Sequence, residues 1–175
     1  MRHRIWVLVA AAAMASLPAA PAQASHRPPR TTIRRLDSVQ RGRLGTYCWA
    51  TRRTGTCADT FGFSWPRAQD VKWGGRARIR IRQSREPRRL SIRAWRRVNA
   101  DGEPLGRATR VDYRLVPHRV EGEVVARDAV FRLPRVERHF YIEMFGVWRL
   151  PTGGGDATYT FHIRTRSQLP AQTAA

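Results

Sequence analysis

The side chains able to act on a substrate, or to hold one, are of three kinds in this chain. Five histidines (His3, His26, His118, His139 and His162) supply the imidazoles, Cys48 and Cys57 the thiols, and 33 Lys or Arg side chains stand against 13 Asp or Glu. Glu143 and His162 fall on two alternating segments near the C-terminus, and a hairpin pairing Ile142 with Ile163 and Met144 with Phe161 sets them opposite each other. Such a pair could serve a hydrolase, the acid orienting an imidazole that takes a proton. On a sheet surface it is more often an exposed ion pair worth under about 1 kcal/mol. No serine stands in a Gly-x-Ser-x-Gly elbow. The run Gly153-Gly154-Gly155-Asp156 lacks the following Lys-Ser/Thr of a phosphate loop. Zinc requires four grouped ligands, and calcium more carboxylates than the turns at Asp101 and Asp156 offer. The reading is therefore of no catalytic residue, no metal and no cofactor, with hydrolase kept as the remote alternative.

The two cysteines lie in GTYCWATRRTGTCAD, residues 45–59, with eight residues between them and a turn-like centre at Arg52-Arg53-Thr54-Gly55. A redox site would place its cysteines two residues apart, and a metal site would bring more ligands nearby. In an exported chain this spacing predicts a Cys48–Cys57 disulfide closing a hairpin or tight loop, worth roughly 2–3 kcal/mol through the unfolded chain's lost freedom.

Charge is the strongest compositional signal. The formal net charge is +20, and 32 of the 33 basic residues are arginine, Lys72 being the exception. A GC-rich genome also favours arginine codons, so the preference over lysine carries little weight; the net charge carries more. A field of this strength attracts polyanions whatever the fold: anionic lipid head groups, phosphate-rich wall polymers or nucleic acid. A basic surface with no dedicated ligand would share the same composition. Sequence-specific nucleic-acid binding calls for a recognition helix or a stacking sheet with a defined motif, and neither is present.

Two segments could concentrate that charge. In Arg76–Arg82, RARIRIR, the residues Ala77, Ile79 and Ile81 take one face and Arg76, Arg78, Arg80 and Arg82 the other, the period of two expected of a half-buried strand. In the following strand Leu90, Ile92 and Ala94 alternate with Ser91, Arg93 and Trp95. If the two strands pair, Arg76, Arg78, Arg80, Arg82, Arg93 and Trp95 form one anion-binding face, whose mutual repulsion a bound anion would relieve. If they belong to different sheets, no such face forms. Between them and the cysteines, Phe61, Phe63, Trp65 and Trp73 make an aromatic loop. It is expected to plug one end of the fold, or else to anchor a protein partner.

These candidates need elements to hold them. Residues 1–24 have a basic start, an apolar run from Ile5 to Leu17 and small residues at Ala22 and Ala24, the layout of a secretory signal peptide. Cleavage leaves 151 residues, enough for one domain with a real core, and takes the charge to +18 with the loss of Arg2 and Arg4. Residues 25–35 read as a flexible basic leader and 168–175 as a disordered tail, with the domain over 36–167. Alternating segments end in Ala129-Phe131-Leu133, His139–Trp148 and Ala157–Arg166, the last facing Tyr159, Phe161, Ile163 and Thr165 inward. Seven or eight such strands with turns between them predict an antiparallel β-sandwich, immunoglobulin-like in general form.

Gly45-Thr46-Tyr47-Cys48-Trp49 with Gly55-Thr56-Cys57-Ala58-Asp59, and later Phe140-Tyr141-Ile142-Glu143 with Trp148 and Tyr159-Thr160-Phe161, resemble a group of uncharacterised small exported proteins of Gram-positive, mainly actinobacterial, bacteria. The resemblance implies export and a β-rich domain and implies no activity. The expectation is thus a secreted, non-catalytic binding or structural module that contacts an anionic polymer or lipid surface.

Overall fold

The computed structural model describes residues 27–60, 62–136 and 138–167. The expected signal peptide, the disordered tail, His26 and Phe61 lie outside the described residues. Twelve strands follow in chain order: β1 (Thr31–Arg35), β2 (Ser38–Arg41), β3 (Arg43–Thr51), β4 (Gly55–Ala58), β5 (Gln69–Lys72) and β6 (Arg76–Ile81), then β7 (Arg89–Trp95), β8 (Thr109–Arg110), β9 (Arg114–Val120), β10 (Glu123–Arg132), β11 (Arg138–Leu150) and β12 (Gly153–Arg166). They form a five-stranded sheet ordered β2-β1-β6-β10-β9 and a seven-stranded sheet ordered β4-β3-β12-β11-β7-β8 with β5 beside β12. Pairing is antiparallel except between β5 and β12.

Period-two patterning explains the layers. Ile33, Ala77, Ile79, Ile81, Ala129 and Phe131 from one sheet meet Trp49, Ile92, Ile142, Met144, Trp148, Tyr159, Phe161 and Ile163 from the other in one buried core, the arrangement of a β-sandwich. The inward sets expected for β6, β10 and β12 are the observed ones.

Twelve strands among the described residues replace the expected seven or eight because several elements are too short to show a period. The leader is corrected most sharply. Thr31–Arg35 is β1, paired with both β2 and β6, with Thr31 and Ile33 buried; proline and arginine around it hide a two-residue alternation. The expected strand from Thr109 to Leu115 instead divides into β8 and β9, one in each sheet.

The β11–β12 hairpin forms, in a different register from the one expected. Its turn is Pro151-Thr152, so Leu150 pairs with Gly153, Ile142 with Phe161 and Met144 with Tyr159. The shift is two residues, which leaves every side chain on its expected face. The glycines are strand, not loop. Gly153 and Gly155 have φ of +141° and +156°, and a Cβ on them would strike the carbonyl oxygens of Ala50 and Cys48.

Cys48 and Cys57 are bonded and lie directly opposite each other on β3 and β4. No helix among the described residues is long and apolar enough to cross a membrane.

Candidate functional site

Because β6 and β7 belong to different sheets, their arginines do not form one face. Arg76, Arg78 and Arg80 lie on the outer surface of the five-stranded sheet and Arg93 on that of the seven-stranded sheet. Arg82, just past β6, lies at one end of the sandwich, in a cleft of about 980 Å³ that also takes in Arg27, Arg30, Arg41 and Arg85. Trp95 is 8% exposed and covered by Phe63 and Trp65, which removes it from the surface an anion could reach. The expected single site of six residues is therefore three separate places.

The five-stranded sheet assembles a larger arginine surface than β6 alone. One row across it runs Val39, Arg34, Arg78, Val130 and Arg114; the next runs Arg41, Thr32, Arg80, Asp128 and Val116; Arg76 pairs with Arg132 at the end. These rows hold seven arginines and one carboxylate. Arg80 binds that carboxylate with both ends of its fork, Nε to Oδ1 at 2.9 Å and Nη2 to Oδ2 at 3.0 Å, and Arg78 adds a contact at 3.7 Å. Arg80 Nη2 also meets His118 Nδ1 at 3.1 Å. Asp128 is buried beneath this cover and compensates little beyond it. Arg34 and Arg78 stand directly opposite each other, and the buried Arg34 Nε has no hydrogen-bond partner. Sequence reasoning missed Arg34, Arg41, Arg114 and Arg132. The alternation Thr31, Ile33 against Thr32, Arg34 is the signal that could have placed Arg34.

Across the seven-stranded sheet's outer face runs a strap, residues 62–68, tied down at several points. Thr160 Oγ1 donates to Ser64 O at 2.6 Å, Trp65 Nε1 to Gly102 O at 2.6 Å, and Gln40 Nε2 to Arg67 O at 2.7 Å. Phe63 and Trp65 stack at 5.4 Å, and Trp65 meets Tyr141 edge-on at 5.3 Å. Phe63 and Trp65 of the aromatic loop thus cover a sheet face instead of plugging an end. Trp73 is apart from it, following β5, with its backbone N–H donated to Arg166 O.

The hydrolase pairing does not form. Glu143 is opposite Thr160, and Tyr141 is opposite His162. The His162 ring stacks on Tyr141 at 4.1 Å, and its Nε2 faces His139 Nδ1 at 2.8 Å. The Pro66 backbone is a further hydrogen-bond partner of the ring, and of the two facing nitrogens one donates and the other accepts. Burial lowers the His162 pKa, and the charges of His139 and Arg164 add to this, while the Pro66 bond opposes it. Burial raises the Glu143 carboxyl above its ordinary value, against the pull of Arg93. Both groups are thereby biased toward neutrality. Glu143 lies in a pocket of about 230 Å³ with Thr46, Ser64 and Thr160. Among the described residues no three His, Cys, Asp or Glu side chains are grouped so as to hold a metal ion.

At the end of the sandwich opposite Arg82, the sheets part to leave a cleft of about 680 Å³. Its apolar lining includes Ala94, Val111, Phe131, Leu133, Phe140 and Ile142; Arg76, Arg96, Arg110, Arg114 and Arg132 line it too and are exposed, so they stand at its mouth. Asp112 is the one carboxylate in the lining. One wall is the crossover from β8 to β9, held by Val111 N–H to Ile92 O at 3.0 Å and Tyr113 Oη–H to Leu90 O at 2.7 Å.

A scan against protein-family models finds no match for this chain, and comparison with curated proteins and with solved structures finds no significant match either.

Proposed function

We propose that this protein is an exported, non-catalytic binding module that contacts an anionic component of the cell envelope through the outer face of its five-stranded sheet. The observation that carries this reading is the pair of cross-strand rows with their Arg76–Arg132 end: seven arginines and a single carboxylate that Arg80 and Arg78 already occupy. Like charges placed directly opposite, as Arg34 and Arg78 are, destabilise a sheet. A bound anion reverses that cost. The planar guanidinium fork suits phosphate and carboxylate oxygens, and rows at strand spacing suit a polymer or a surface better than a small ion. Export is supported by the signal-like N-terminus and by the disulfide, which persists in oxidising compartments.

The test is retention on immobilised duplex DNA, taken as a model polyanion, as salt is raised. Each phosphate contact contributes about 0.9 to the slope of log affinity against log salt. Arg34→Gln with Arg78→Gln is expected to lower that slope by nearly two and leave the thermal midpoint equal or higher. An unchanged slope in the folded double variant refutes the assignment.

A further inference from the structure

The cleft between the parted sheets is chemically distinct from the arginine rows, although Arg76, Arg114 and Arg132 belong to both. At about 680 Å³ it falls within the range of small-molecule sites. Its floor is core: Ile142 is 2% exposed, Phe131 4%, Leu133 6% and Ala94 8%. Two polar groups of its crossover wall are turned elsewhere: Val111 N–H and the Tyr113 hydroxyl are donated to Ile92 and Leu90 carbonyls of β7. Inside, then, the cleft asks for an apolar occupant and offers a polar one little. Its mouth asks for the opposite, with five exposed arginines against Asp112.

We infer that this cleft binds a single-chain anionic amphiphile, with the alkyl chain against Phe131, Leu133, Phe140 and Ile142 and the anionic head held by the arginines of the mouth. A sugar or nucleotide would leave its hydroxyls or ring nitrogens unpaired against the apolar floor. A peptide segment would bring backbone amides with the same difficulty. A neutral alkane would make no use of the mouth. The inference deepens the anionic-component reading and rests on it only in giving the arginines an anionic partner; the interior of the cleft is an independent observation.

The experiment is calorimetric titration of the full chain with octanoate, decanoate and dodecanoate below their micelle concentrations, with decanol as the uncharged control and dodecyl phosphate as the alternative head. One-to-one binding is expected, strengthening about fourfold per added methylene and at least tenfold weaker for decanol than for decanoate. Equal binding of dodecanoate and dodecyl phosphate means the mouth reads charge; preference for either one identifies the head-group source. Val111→Trp, which fills the cleft from its crossover wall, is expected to abolish binding while retention on DNA is unchanged, and its circular dichroism and melting curve confirm folding. Should Val111→Trp unfold, Phe140→Ala supplies the second reading, with a larger cleft and a shifted chain-length optimum. The inference is overturned if no chain length binds, if affinity is flat with chain length, or if folded Val111→Trp binds as well as the parent. Arg34→Gln with Arg78→Gln separates the two readings, because neither residue lines the cleft. In that double variant, loss of dodecanoate binding with the DNA salt slope lowered sinks the cleft alone, and retained dodecanoate binding with an unchanged slope sinks the sheet surface alone.

Discussion

Gln40 lends its side chain to the edge of the opposite sheet, and Gln40→Ala removes that joint. Along β12, β3 pairs as far as Thr160 and β5 begins at Ile163, so the main chain of His162 has no strand neighbour on that edge. The Gln40 amide takes the place of the missing peptide group: Oε1 accepts from His162 N at 2.9 Å and Nε2 donates to His162 O at 2.9 Å. The same Nε2 donates to Arg67 O at 2.7 Å, fastening the strap. Gln40 is 8% exposed, so water replaces these bonds poorly once the side chain is gone. Three hydrogen bonds at about 1 kcal/mol each give an expected loss of about 3 kcal/mol. For a domain of this size that is a fall in Tm of roughly 6–12 °C. Urea unfolding followed by tryptophan fluorescence reads the same loss as a lower midpoint at unchanged m value. Gln40→Glu keeps the acceptor and at neutral pH sets a carboxylate against two carbonyls, so it is expected to lose at least as much. A Gln40→Ala protein that melts within about 2 °C of the parent refutes the reasoning.

Asp128→Asn leaves Arg78 and Arg80 without their charge partner and is expected to cost about 3 kcal/mol in low salt, with part of the loss recovered in sulfate; equal losses in both solutions, by urea unfolding, would contradict the charge account. His162 is held below its ordinary pKa near 6.5, so its contribution to stability is complete above that value and declines as pH falls from there toward the lowered one. Glu143, raised by burial, acts with the opposite sign, fully favourable below its ordinary value and lost as pH rises through the raised one. Tm is therefore expected to drop further between pH 7.5 and 5.5 in the parent than in a His162→Gln variant, and an equal change in both would assign the pH dependence to other groups. Gly155→Ala forces a Cβ onto the Cys48 carbonyl at φ +156° and is expected to cost at least about 2–3 kcal/mol, checked by thermal melting with the disulfide intact.

The sandwich and the inner faces of its long strands were legible because one-sided burial writes a period of two into the chain. RARIRIR and the Tyr159-Phe161-Ile163-Thr165 alternation place Ile79, Ile81, Phe161 and Ile163 inward before any contact is known. The disulfide was legible for a local reason, since only eight residues lie between the two cysteines, around one turn. Thr31–Arg35 and Gly153–Gly155 were not, because two inward residues make no period and glycine gives no pattern; their strand state comes from partners on β6 and β3. Register lay beyond reach for a related reason. A shift of two residues preserves every face, so patterning could not choose between Glu143 opposite His162 and the observed Tyr141 opposite His162.

The candidate surface divides along the same line. Composition alone determined that the chain is strongly cationic, and alternation that the β6 arginines point outward. Which arginines gather, however, depends on strand neighbours drawn from distant parts of the chain. Arg34, Arg78 and Arg114 become one row only through β1, β6, β10 and β9, while Arg78 and Arg93, close in sequence, are divided between the two sheets. The cleft is a tertiary product in the same sense: its floor is ordinary core sequence, and only the parting of the two sheets, with the β8–β9 crossover as a wall, leaves that core open beside arginines.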